Sequence, residues 1–164
     1  MMRFGLLIAC ACLLFAGCSQ TAPTVIEDTW TVAQATREGH PAICRFRENA
    51  TVNVDTTVYP RMVVIAWEFD GSENNGFPSL ETNQQQQQFE ELLDPLDVPE
   101  LGIHTHVVTC NGGKEWVWYV KDSDAWMAKF NEALAGQAAM PIKISFYDEP
   151  GWRTYHGFMN WINQ

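Results

Sequence analysis

Apolar and polar residues alternate over six stretches of this chain: TWTVAQA, PAICRFR, RMVVIAWEFD, GIHTHVVTC, EWVWYVKD and PIKISFYD. Alternation with period two, bounded by turn residues, predicts half-buried β-strands. The first two stretches flank TREGH, where Gly39 permits a left-handed backbone, and read as a β-hairpin. GIHTHVVTC and EWVWYVKD flank Asn111-Gly112, among the strongest hairpin signals a sequence can carry. A shorter alternating piece within residues 49–61 is interrupted by Tyr59-Pro60 and reads as a connector.

Two segments switch to helical spacing. Ser79 is the N-cap of a helix from about Leu80 to Leu96, with Phe89, Leu92, Leu93 and Leu96 as its buried stripe. The glutamine tract Gln84 to Gln88 reads as the solvated first half of that helix. Asp122 or Ser123 caps a second helix, on which Trp126, Phe130, Ala133 and Leu134 share a face, and Gly136 stops it. Residues 148–164 close the chain as a turn and a short amphipathic tail. From Arg61 onward the order is strand, helix, strand, strand, helix, strand. That is the ferredoxin-like βαββαβ pattern, an α+β fold with two helices on one face of an antiparallel sheet, here preceded by a β-hairpin. Trp116 and Trp118 take the parity that packs under the helices.

The N-terminus changes where this fold is expected to live. Arg3 precedes an apolar run, Phe4 to Phe15, too short to span a bilayer. Phe15-Ala16-Gly17-Cys18 then resembles a lipobox, which makes residues 1–17 a lipoprotein signal peptide and Cys18 the lipidated N-terminus. The competing reading is an ordinary secretory signal that ends near a cysteine. Ser19 after Cys18 points to the outer membrane, facing the periplasm. Residues 18–28 read as a tether and residues 29–164 as one α+β domain. Removing residues 1–17 takes away Arg3 and no acidic residue, moving the net charge from −10 to −11. So acidic a chain is unsuited to nucleic acid, and its membrane attachment would rest on the lipid.

Of five cysteines, two leave with the signal and Cys18 carries lipid. Cys44 and Cys110 remain, as a disulfide or as two reduced, buried thiols. His104, His106 and Cys110 occupy even positions of one strand, so strict alternation puts them on one face. Two imidazoles there are candidates for a metal site, with His156, Glu68 or Cys110 as a third ligand, or are simply a polar face. The face opposite the helices would gather Glu68, His104, His106, Tyr119, Lys121, Lys143 and Tyr147, a candidate binding face. It is otherwise a solvated face, or one covered by the tail through Phe158 and Trp161. The sequence contains no G-x-S-x-G, P-loop or H-E-x-x-H motif, and no cofactor is implied.

Several segments resemble the bacterial family known as domain of unknown function 695. They are Tyr59-Pro60, Trp67-Glu68-Phe69, Gly76-Phe77-Pro78-Ser79, Phe89-Glu90, residues 114–120 (KEWVWYV) and residues 148–155 (DEPGWRTY). The resemblance implies no catalytic residues. The expected function is a non-catalytic binding module for a protein or small ligand at the bacterial envelope. The alternative is a metal-dependent enzyme using His104 and His106.

Overall fold

The computed structural model describes residues 28–164. The signal peptide, Cys18 and all but the end of the tether lie outside the described residues. Six strands form one sheet: β1 (Trp30–Arg37), β2 (His40–Arg47), β3 (Arg61–Glu68), β4 (Gly102–Cys110), β5 (Gly113–Val120) and β6 (Ile142–Asp148). Their order is β1-β2-β4-β5-β3-β6, and every neighbouring pair is antiparallel. The hairpin of β1 and β2 therefore extends the sheet beyond β4. At the β4–β5 turn, Asn111 and Gly112 both adopt positive φ, as a two-residue hairpin turn requires.

Helix α1 (Leu80–Leu93) follows β3, and α2 (Ser123–Ala133) follows β5. Their caps are Ser79, which accepts the Thr82 N–H, and Asp122, which accepts the Ala125 N–H. Pro95 tightens the end of the first helical segment into a 3-10 turn over Asp94–Leu96. Both helices lie on one face. Phe89 and Leu93 of α1 and Trp126 and Phe130 of α2 share a core with Val63, Ile65, Trp67, Trp116 and Trp118. The tail forms a third helix, α3 (Arg153–Ile162), which covers part of the opposite face. It buries Tyr155 and Phe158, preceded by Trp152, whose ring stacks on Tyr119 at 4.1 Å. The Trp152 indole donates to the carbonyl of Tyr59 at 3.0 Å. Trp161, near the far end of α3, donates to the carbonyl of Thr36 at 3.2 Å and ties the helix to β1.

Strand spacing makes the consequence geometric. Six strands about 4.8 Å apart are wider than one helix and wider than the α1–α2 pair centred on β3 and β5. Each face thus keeps an uncovered margin. On the α1 side it is the β1–β2 end, and on the α3 side it is the β3–β6 end.

Candidate functional site

The histidine strand departs from strict alternation. Pairing of β4 with β5 shifts register between His104 and His106, so Thr105 is an extra, bulged residue. One inserted residue reverses parity, and the two histidines face opposite sides of the sheet. His104 lies on the α1 side, stacked on Trp118 at 3.8 Å. His106 lies on the α3 side, stacked on Phe158 at 4.1 Å. The expectation of a shared histidine face is corrected accordingly.

The bulge is held by polar groups that satisfy its backbone. Asp97 accepts the His104 N–H at 3.0 Å, and Arg47 donates to the His104 carbonyl at 3.0 Å. Arg47 also pairs with Asp97 at 2.8 Å and with Asp28 at 3.1 Å. The Thr105 hydroxyl donates to the Val117 carbonyl at 3.1 Å, which leaves its lone pairs for a ring N–H of His106, at 2.9 Å. Both histidines are buried, at 7% and 3% exposure. Burial holds His104 well below its ordinary pKa and pushes His106 down to about 3, with Arg45 and Arg37 respectively adding to the effect. Neutral, stacked and separated by the sheet, they do not converge on one ion. Among the described residues no three His, Cys, Asp or Glu side chains are grouped to hold a metal.

Past the bulge β4 alternates regularly, so Cys110 keeps the side of His106, and Cys44 faces the same α3 side. Cys44 pairs with Val108 and Cys110 with Ala42, so the two cysteines are diagonal neighbours on adjacent strands. Both are free thiols. Diagonal Cα atoms stand about 7–8 Å apart, beyond the usual reach of a disulfide, so a bridge would require the strands to shift.

The remaining predicted face residues divide. Glu68, His106, Tyr119, Lys143 and Tyr147 share the α3 side. Tyr119 is buried beneath Trp152, whereas Glu68, Lys143 and Tyr147 stay exposed on the uncovered margin. Lys121 stands past the end of β5, its ammonium 5.4 Å from the Tyr59 ring. Where α3 meets that margin there is a groove of about 510 Å³. Met62, Val64, Val117, Phe158 and Trp161 line it, His106 and Tyr147 contribute to its lining, and Arg37 and Glu115 pair across it at 3.0 Å. Gly157 of α3 also lines the groove, and a Cβ placed there meets nothing within 4 Å.

A second cluster on the α1 side has no counterpart in the sequence expectations. Glu90 of α1 receives Arg45 of β2 at 2.8 Å, Lys114 of β5 at 2.7 Å and the Trp116 indole N–H at 2.9 Å. Burial works to raise the Glu90 pKa, but the charges of Lys114 and Arg45 outweigh it and hold the carboxyl below its ordinary value. The signal available in the sequence is PAICRFR, whose alternation sets Arg45 and Arg47 opposite an apolar row and so calls for counter-charges. Nothing in that pattern names Glu90, which sits beside Phe89 in an apolar stripe.

The model of a family of unknown function, DUF695, matches residues 28–160, and the chain belongs to that family. No curated protein matches it.

Proposed function

We propose that this DUF695 member is an exported, lipid-anchored binding module that holds a small, mainly apolar ligand in the groove beside α3, and that it is not an enzyme. The observation that carries the reading is Gly157. A glycine in a helix interior costs about 1 kcal/mol relative to alanine, and here no packing neighbour demands it. Its lack of a side chain keeps the wall of the groove open. A volume of about 510 Å³ is within the range of small-molecule sites, and the lining combines an apolar floor of Met62, Val64, Val117 and Phe158 with polar groups at its rim, among them Arg37, Glu38 and Glu115. The burial and separation of the histidines favour a structural role for them over a catalytic one.

The anchor rests on the lipobox ending at Cys18, and the envelope location on that anchor. The strand order β4-β5-β3-β6 supports reading the last four strands with α1 and α2 as a ferredoxin-like unit, to which the β1–β2 hairpin and α3 are additions.

Titration with N-phenylnaphthylamine, a neutral apolar dye, tests the groove. Saturable one-site binding is expected, and Gly157→Trp should weaken it at least about tenfold by filling the space. Gly157→Ala should retain binding and gain about 0.5–1 kcal/mol of stability in urea denaturation. Equal dye binding by wild type and Gly157→Trp, or none by wild type, would remove the assignment.

A further inference from the structure

The uncovered margin on the α1 side is a second groove, of about 440 Å³, between the β1–β2 hairpin and α1. It lies on the opposite face of the sheet from the α3 groove and is independent of the function proposed there. Its walls are unusually apolar for solvent-facing positions. Val32 is 66% exposed, Ile43 41% and Leu80 75%, and these are three of the six large hydrophobic side chains exposed among the described residues.

The charged part of the lining is net positive. Its ionisable residues are Arg45, Lys114 and Glu90, two cations around one carboxylate. Glu90 has both oxygens engaged, by Arg45 on one and by Lys114 and the Trp116 indole on the other. It therefore offers little to a ligand, whereas the cations keep spare donors. Arg45, its side chain 39% exposed, reaches Glu90 through one Nη. Lys114, only 9% exposed, makes one ion pair with an ammonium that carries three N–H groups. The groove's own lining thus carries one more cation than carboxylate beside an apolar wall, in a protein whose net charge is −10. A low-dielectric wall strengthens the attraction of that charge for an anion.

The groove is also held in shape. The loop between β3 and α1 is fastened to the β4–β5 turn by the Phe69 N–H to the Gly112 carbonyl and the Gly112 N–H to the Gly76 carbonyl, both at 2.8 Å. Phe77, which lines the groove, follows directly from this clasp.

We propose that this groove binds a monocarboxylate with an apolar body, the carboxylate on Arg45 and Lys114 and the hydrocarbon on Val32, Ile43 and Leu80. One net positive charge matches one carboxylate, and the apolar wall matches a chain or ring but not a second charge.

Calorimetric titration of the purified mature protein with decanoate, below its micelle-forming concentration, provides the test. Single-site binding is expected, with decanol, which lacks the charge, at least about tenfold weaker. Arg45→Gln should weaken decanoate about tenfold or more. Glu90→Gln should tighten it, because it frees both cations. Ile43→Glu, at an exposed position that the fold does not need, should abolish binding even where a Glu90 variant folds poorly. Gly157→Trp should leave decanoate binding unchanged. No binding, equal affinity for decanol, persistence in Ile43→Glu, or loss in Gly157→Trp would each overturn the assignment.

Discussion

His104 and His106 show how one inserted residue decides what a pair of side chains can do. Thr105 turns a same-face pair into two imidazoles packed in separate cores, both neutral in the fold. Their pKa values are depressed relative to the unfolded chain, so the unfolded state binds more protons once the pH drops below about 6.5. The stability they provide is fully present above that value. It is lost progressively as pH falls, for His106 down to about 3. Between pH 7.5 and 5.5 the His106 contribution should fall by about 1.4 kcal/mol, above the range where ordinary carboxylates titrate. Urea midpoints across that window should fall for wild type, and the fall should be smaller in His106→Gln. An unchanged pH slope would mean that His106 is not buried as a neutral ring. Arg47 tests the support of the bulge itself. Arg47→Met leaves half-buried Asp97 without its ion partner and the His104 carbonyl without its donor, and should destabilise by about 2 kcal/mol or more. The sequence does not reveal this arrangement. GIHTHVVTC reads as regular alternation, and the groups that fix its irregularity, Arg47 and Asp97, lie on other elements.

At the scale of elements, the strands, the two hairpins and the α1 and α2 caps were legible because each is set by local chemistry. Asn111-Gly112 specifies its turn, and Ser79 and Asp122 cap their own helices. The tail was legible only in part: cover for the sheet through Phe158 and Trp161 was one of the alternatives its amphipathic pattern left open, and the groove beside it was not among them. The α1-side cluster was not legible because Arg45, Glu90 and Lys114 come from three elements and meet only after folding. The cysteines illustrate the same dependence. Alternation places each cysteine on a face of its own strand, but only the β2–β4 register makes Cys44 and Cys110 diagonal neighbours. Mature protein isolated without reductant should therefore show two alkylatable thiols at Cys44 and Cys110 once denatured. Cys44, whose thiol burial pushes up to about 11, should react far more slowly in the native state. A mass two hydrogens low, with neither cysteine alkylated, would show that the strands shift enough to bridge them.

At the scale of the molecule, a six-stranded sheet with helices too few to cover it explains why both faces carry open margins. One margin is bordered by Gly157, the other by two cations in an acidic chain. A margin of this kind is either a solvated accident of width or a site, and occupancy separates the two. The most direct measurement is native mass spectrometry of the mature protein released from its own membranes in mild detergent, alongside Gly157→Trp. The wild type should carry a small molecule of a few hundred daltons that departs on denaturation, with the occupied fraction sharply reduced in the variant. Wild type and variant both at the mass of polypeptide and anchor alone would contradict the assignment of this protein as a ligand-binding module.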